Sequence, residues 1–230
     1  MGNFLALSAI VGKTRGEVLT SLSNYANSVG GGILADNTLN SDNDNCCIIE
    51  EANGNTSIFY PDGYTEWDAS SQFISSELNA TVFSFHIHDG DFWMYILYNN
   101  GKLIDKFNPI PDYWEEDMSE QEVKSWKGNA SIVVNYFSHL KIKDIQKYLV
   151  RWDLEEEEST KAYPTDEFAK EDWQLTDFMT RLKLPYPLDD DGNAKGPTYI
   201  FWTYNLPLET GTKKLHDDNK TKNKHWWQFW

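Results

Sequence analysis

Residues 81–114 constrain the fold more than any other part of this chain. Side chains alternate between the two faces of a β-strand, so every second residue shares a face. The first eight residues of this stretch separate into an apolar set and a mostly polar set. These are Phe83, Phe85 and Ile87 on one face, and Val82, Ser84, His86 and His88 on the other. We therefore predict a strand with one face in the core and the other half-exposed.

Two turn signals follow this strand. Asp-Gly at positions 89–90 and Asn-Asn-Gly at positions 99–101 are residues that tolerate positive φ, as tight hairpin turns require. The aromatic run at residues 92–98 lies between the two turns, and residues 102–107 follow the second. The pattern predicts three consecutive antiparallel strands, a β-meander.

The order of elements upstream of the meander predicts a topology. Strand patterns occur at residues 4–11, 46–50 and 56–60. One helix is predicted after a capping box at Thr14, and a second is predicted after an N-cap at Asp68. With the first meander strand, the order is β-α-β-β-α-β. That order is typical of a ferredoxin-like unit with both helices on one face of the sheet, and the meander would extend the sheet.

Beyond residue 114 the pattern changes from strands to helices. Short amphipathic segments and a last strand at residues 198–203 predict a helical portion packed on the same sheet. We expect an α+β protein in three parts. These are a mainly antiparallel sheet with two helices at residues 1–114, a helical portion with a final strand at 115–204, and a polar tail at 205–230.

The charge of the chain restricts its partners. It has 36 acidic and 20 basic residues, a net charge of −16 and a pI near 4.6. Nucleic acid and anionic membrane surfaces would be repelled, so neither is expected as a direct partner. A basic protein fits this charge. Acidity for the sake of solubility is the alternative interpretation, and both remain open here.

Other features favour a cytoplasmic protein. Cys46 and Cys47 are adjacent and cannot join distant segments, so no disulfide framework is predicted. The apolar run near the start lacks a preceding basic region and is interpreted as a strand, not a signal peptide. No run approaches the roughly 20 apolar residues needed to cross a bilayer.

His86, His88 and Asp91 form the candidate metal site. Strand alternation places both imidazoles on one side, where two nitrogens can reach one divalent metal ion. Asp91 lies just beyond the hairpin turn and can act as a third ligand or orient a ring. The alternative is a pair of polar-face histidines beside an ordinary turn. The sequence contains no phosphate-binding, dinucleotide-binding or serine-nucleophile motif, so no other cofactor is expected and binding is favoured over catalysis.

The candidate partner-binding surface combines aromatic and acidic residues around the meander and the proline loop that follows it. It consists of Tyr95, Tyr98, Asp112, Tyr113, Trp114, Glu115, Glu116 and Asp117. Tyr and Trp anchor protein interfaces, and an acidic rim accelerates encounter with a basic partner. The alternative is that these rings fill the core between the sheet and the helices.

The tail combines basic and aromatic residues. It holds five of the basic residues and three of the acidic ones, so residues 1–204 carry 15 basic and 33 acidic residues, a charge of −18. The tail ends in an aromatic cluster that is too apolar to be stable in water. Its members are Trp226, Trp227, Phe229 and Trp230. Docking on the chain's own body is favoured over docking on another chain.

Four segments carry a resemblance to known proteins. They are FSFHIHDGDFWMYILYNNGKLIDKFNPIPDYW, SWKGNA, YLVRWDL and AYPTDEFAKEDWQLTDFMTRLKLPYPLDDDGN. Together they resemble a bacterial family of acidic proteins to which we assign no biochemical function. In size, composition and helix-decorated sheet the chain is also similar to immunity proteins of bacterial polymorphic toxin systems. That second resemblance implies a protein that binds and neutralises a cognate toxin, often a basic nuclease.

Three functional hypotheses follow. The leading one is an acidic binding protein of the immunity type that blocks a basic toxin or a nucleic-acid-binding partner. The second is a metal-dependent hydrolase that uses His86, His88 and Asp91. The third is a nucleic-acid mimic, which requires acidic groups spaced like phosphates.

Overall fold

The computed structural model of this chain describes residues 4–35, 45–113, 117–153, 155–166 and 173–208. Within these residues it contains eight strands and six α-helices. The strands form one sheet in which every neighbouring pair is antiparallel. The predicted α+β class is confirmed.

The eight strands are numbered in chain order. They are β1 (Leu5–Ile10), β2 (Gly32–Ala35), β3 (Cys46–Ala52), β4 (Asn55–Phe59), β5 (Thr81–His88), β6 (Phe92–Asn99), β7 (Lys102–Phe107) and β8 (Thr198–Trp202). Across the sheet their order is β2-β8-β3-β4-β1-β5-β6-β7. The predicted meander is present as β5, β6 and β7. The last strand, β8, inserts between β2 and β3, so both halves of the chain share one sheet.

The six helices lie between and beyond these strands. They are α1 (Arg15–Ser28), α2 (Trp67–Glu77), α3 (Glu120–Ser125), α4 (Ala130–Val134), α5 (Ile142–Gln146) and α6 (Trp173–Arg181). The capping box predicted at Thr14 is present, with Thr14 Oγ1 accepting from the Glu17 amide. The cap predicted at Asp68 is wrong. The N-cap of α2 is Glu66, and Asp68 lies in the first turn, where a carboxylate favours the positive end of the helix dipole.

The sheet is covered on both faces, and each face has its own hydrophobic core. On the first face, apolar residues of β1, β5 and β6 pack against side chains from α4, α5 and α6, including Val133, Ile145 and Phe178. On the second face, side chains from α1 and α2, such as Leu22 and Ile74, cover the sheet. The fold therefore has three layers, with the sheet in the middle.

This layering corrects the expected exposure of β5. Phe83, Phe85 and Ile87 are buried on the first face, as predicted. The opposite face was expected to be half-exposed, but Ser84 is fully buried and His86 is only 6% exposed. The reason is that α2 lies across that face. The polar residues of β5 therefore lie in the second core, where they can form hydrogen bonds, and not on a solvent-exposed surface.

Strand β2 was not predicted, because its four residues begin at Gly32, the last of the three glycines that follow α1. It pairs with β8 at the sheet edge, with Gly32 opposite Trp202. A Cβ added at Gly32 would lie 2.5 Å from the Trp202 indole, and one at Gly31 would lie 1.9 Å from the Trp202 carbonyl oxygen. The glycines therefore allow a close approach between the end of α1 and β8.

Candidate functional site

The hairpin turn between β5 and β6 forms the base of the candidate site. Asp89 and Gly90 both have positive φ, 53° and 77°, and with Asp91 they form the three-residue connection between the paired residues His88 and Phe92. The amide of Asp91 donates to the His88 carbonyl at 2.8 Å and closes the turn. Asp89 and Asp91 are both exposed, so the turn presents two carboxylates to solvent.

The proline loop after β7 returns to this turn through Tyr113. The Tyr113 hydroxyl donates to Asp91 Oδ2 at 2.6 Å. Its ring centroid lies 5.8 Å from that of His88 and 5.2 Å from that of Phe92. The Tyr113 amide also donates to the Ile110 carbonyl at 3.1 Å, which shapes the loop. Tyr113 is thus held at both its backbone and its hydroxyl.

Phe4 completes the arrangement from the start of β1. Antiparallel pairing sets Leu5 opposite Ile87, so Phe4 reaches the His88 ring, with centroids 5.0 Å apart and planes at 87°. Phe4 is 48% exposed and Tyr113 is 38% exposed. We call Phe4, His88, Asp89, Asp91 and Tyr113 the acidic-aromatic patch.

The charge state of the patch follows from its surroundings. Partial burial lowers the pKa of His88, and Asp89 and Asp91 oppose that shift. His88 is therefore largely neutral at pH 7. The hydrogen bond to Asp91, and the acidic charges nearby, raise the pKa of Tyr113. Near neutral pH the patch combines two exposed carboxylates with uncharged rings.

The structure separates the two histidines of the candidate metal site by environment. The His86 ring stacks on Trp67, with centroids 4.9 Å apart and planes at 4°. Burial, with a contribution from His88, lowers the pKa of His86 to about 3. The two imidazole centroids are 6.1 Å apart, and the Asp91 carboxylate accepts the Tyr113 hydroxyl. Among the described residues no group of three or more His, Cys, Asp and Glu side chains is placed to hold a metal ion.

Tyr95 and Tyr98 were assigned to the candidate partner-binding surface, with packing in the core as the alternative, and the structure corrects the surface assignment. Their exposed fractions are 0% and 2%, and they lie in the cores on opposite faces of the sheet. The Tyr95 hydroxyl donates to Asp105 at 2.7 Å. Burial, followed by the charge of Asp105, raises the pKa of Tyr95. The physical reason is that helices or loops cover both faces of β6, leaving no exposed face for an aromatic strand.

The remaining candidates on the proline loop have different environments. Asp112 is half-buried, and its Oδ2 accepts from Arg151 Nη2 at 2.6 Å. Asp117 is exposed. Trp114, Glu115 and Glu116 lie outside the described residues, as does the aromatic cluster of the tail.

Of the five patch residues, only Tyr113 belonged to the predicted partner-binding set. His88 and Asp91 were candidate metal ligands, and Phe4 and Asp89 belonged to neither set. Phe4 was assigned only to a strand, and its contact with His88 depends on the pairing of β1 with β5, which are far apart in sequence. Asp89 was noted only as part of a turn. The aspartate-glycine turn was the sequence signal that could have indicated this site, because acidic side chains in a tight turn are expected to be exposed.

Comparisons with known proteins find no match: no protein-family model, no curated protein and no solved structure is similar to this chain. In the part of the chain that the structure describes, no helix has the length and apolar character required to cross a membrane.

Proposed function

We propose that this chain is an acidic cytoplasmic protein-binding module, an immunity-type inhibitor that binds a basic partner through the acidic-aromatic patch. One observation carries the proposal. Two exposed aromatic side chains, Phe4 and Tyr113, both contact the His88 ring, next to the exposed carboxylates of Asp89 and Asp91.

The chemistry of the patch suits recognition of a protein. Aromatic anchors carry much of the binding energy in protein interfaces, and tyrosine is enriched among them. Tyr113 is already fixed by Asp91 and by the rings of His88 and Phe92. An anchor that is ordered before binding loses less conformational entropy when the complex forms.

The charge supports a basic partner over the alternatives. A net charge of −16 accelerates association with a positively charged protein and repels phosphate backbones. A basic toxin, or a protein that itself binds nucleic acid, has the complementary sign. The resemblance to immunity proteins points in the same direction.

We also propose that the N-terminal part is a ferredoxin-like unit that carries the patch at one end. The neighbouring order β3-β4-β1-β5, with α1 and α2 covering one face, supports this assignment. In this arrangement β1 and β5 lie next to each other, and the patch sits where β1 begins and β5 ends.

The first experiment identifies the partner and then tests the patch. The full chain is used as bait in lysate of its source cells, at low and at high salt. We expect one basic protein to be retained in stoichiometric amount and to be released by salt. If the bait retains no basic protein, the proposed function is wrong.

The purified partner then allows a sharper test of the patch. We expect D89K/D91K to slow association and Y113A to speed dissociation, because charge governs encounter and an anchor governs residence time. E51K/E77K makes the same change of charge near the end of β3 and at the end of α2, outside the patch. Y204A removes a tyrosine that is 82% exposed elsewhere. Equal effects of patch and control variants would show that the partner binds another surface.

A further inference from the structure

A groove lies beside the proline loop and is separate from the acidic-aromatic patch. It has a volume of about 440 Å³, within the range of small-molecule sites. The end of β7, the proline loop, α3 and the segment after α5 surround it. Its apolar lining comes from Phe107, Pro111, Met118, Val123 and Leu149.

Backbone hydrogen bonds hold the walls of this groove together. The Asn108 amide donates to the Trp126 carbonyl at 2.9 Å, joining the end of β7 to the end of α3. The Trp152 amide donates to the Pro109 carbonyl at 3.1 Å, joining the proline loop to the segment after α5. These two hydrogen bonds connect the segments that form the walls of the groove.

The charges around the groove differ in sign from those of the whole chain. Among the described residues, three basic side chains line it against two acidic ones, although acids outnumber bases 36 to 20 in the sequence. The basic side chains are Lys124, Lys127 and Arg151, and the acidic ones are Asp112 and Glu120.

Ion pairs occupy two of these basic groups. Lys124 pairs with Glu120 at 3.0 Å, and Arg151 pairs with Asp112 at 2.6 Å. Within the described residues the Lys127 ammonium makes no hydrogen bond or ion pair. The Arg151 guanidinium has further N–H donors beyond the one directed to Asp112. The lining of the groove thus combines cationic hydrogen-bond donors with apolar side chains.

We propose that this groove binds a small molecule with an apolar body and one anionic group. The body would lie on Phe107, Val123 and Leu149, and the anion would contact Lys127 and Arg151. A basic ligand is disfavoured because it would approach the ammonium group of Lys127. This inference does not depend on the partner proposed for the patch.

A matched pair of fluorescent probes tests the proposal on the full chain. The anionic probe is 8-anilino-1-naphthalenesulfonate, and its neutral counterpart is N-phenyl-1-naphthylamine, which has the same rings without the sulfonate. We expect the anionic probe to bind with a stoichiometry of one and more tightly than the neutral probe. Equal affinities, or no saturable binding of the anionic probe, would overturn the proposal.

Three variants locate the site of binding. K127Q should weaken binding of the anionic probe about tenfold, a loss of about 1.4 kcal/mol, because a charge-assisted contact is removed, and should leave binding of the neutral probe unchanged. K102Q removes an exposed lysine from β7 outside the groove and should change neither affinity. V123W should fill the groove and abolish binding of both probes.

The proposed anion contact can be tested even if V123W fails to fold. Lys127 is an exposed side chain, so K127Q tests the anion contact even if V123W disrupts packing. Unchanged binding of the anionic probe to K127Q would refute the proposed contact. The patch variant F4A, which lies outside the groove and the proline loop, should bind both probes normally, which distinguishes failure of this proposal from failure of the proposed function.

Discussion

The Tyr113 hydroxyl donates a hydrogen bond of 2.6 Å to Asp91 Oδ2, linking the proline loop to the hairpin turn between β5 and β6. These residues are 22 positions apart, and the bond fixes an exposed ring beside His88. Through this contact a loop residue becomes part of a defined surface.

The Tyr113–Asp91 bond predicts a titration that can be measured. The neutral hydroxyl is the donor, so the bond raises the pKa of Tyr113, and D91N should lower that pKa. The bond contributes stability fully below the unfolded-state value of about 10, and the contribution is lost as the pH rises through the raised folded-state pKa. NMR of ring-labelled tyrosine, assigned with Y113F, measures the shift. An identical midpoint in D91N would contradict the assignment.

Acid should destabilise the protein through His86. Its folded-state pKa of about 3 lies below the unfolded value of about 6.5, so the unfolded chain binds the proton first. The neutral ring contributes stability that is complete above pH 6.5 and is lost as the pH falls toward 3, by up to about 1.4 kcal/mol per pH unit.

The variant H86F separates this effect from general acid denaturation. Phenylalanine keeps a flat ring against Trp67 but cannot bind a proton. We expect the free energy of unfolding to fall less between pH 7 and pH 4.5 in H86F than in the wild type, measured with urea. A constant difference between H86F and the wild type at both pH values would rule out this titration.

Replacing Ser71 with alanine should lower the free energy of unfolding more than the same change at Ser21, another buried serine. The Ser71 hydroxyl lies 2.5 Å from that of Ser8 and donates to that of Ser84 at 2.8 Å. This fully buried network connects α2 to β1 and β5. S71A leaves both partners short of a hydrogen bond and should cost about 1–3 kcal/mol in unfolding free energy.

Ser21 provides the matched control for S71A. It is 1% exposed, and within the described residues its hydroxyl has no hydrogen-bond partner. S21A should therefore be neutral or slightly stabilising, because it removes a buried polar group that is not compensated. Equal losses in S21A and S71A, measured by chemical denaturation, would show that the network contributes nothing beyond packing.

Gly31 should not tolerate a side chain. A Cβ there would lie 1.9 Å from the Trp202 carbonyl oxygen, a backbone atom that can move only with β8. G31A should lower the free energy of unfolding by at least the roughly 1–3 kcal/mol typical of overpacking. It should also weaken the pairing of β2 with β8 at the sheet edge. Amide hydrogen exchange in β2 would detect that weakening.

A second glycine gives the opposite expectation. Gly16 lies in the first turn of α1, and a Cβ there meets no atom within 4 Å. G16A should leave the fold unchanged and stabilise it by up to about 1 kcal/mol, because alanine favours the helix. Similar behaviour of G16A and G31A would argue against the close contact at Trp202.

Local patterns in the sequence predicted much of this fold. Alternation placed Phe83 and Phe85 on one face of β5, and the turn residues at 89–90 and 99–101 defined the meander. The capping box at Thr14 set the start of α1. These features depend on neighbours within a few residues, so a single sequence contains them.

The exposure of the candidate site could not be predicted in this way. Tyr95 and Tyr98 lie on opposite faces of β6, and segments distant in sequence cover both of those faces. Similarly, Phe4 joins His88 only because β1 pairs with β5. Burial depends on which distant segments pack together, and local periodicity does not identify those segments.

The sequence alone determined the α+β class, the meander, the acidic charge and the turn that exposes Asp89 and Asp91. Only the tertiary structure decided that both faces of the sheet are interior, that Tyr113 binds Asp91, and that a groove with an excess of basic side chains lies beside the proline loop. The physical reason is that strand, turn and cap formation are governed by local sterics and hydrogen bonding. Burial, and the joining of distant side chains into a site, arise only when the packed layers remove apolar surface from water.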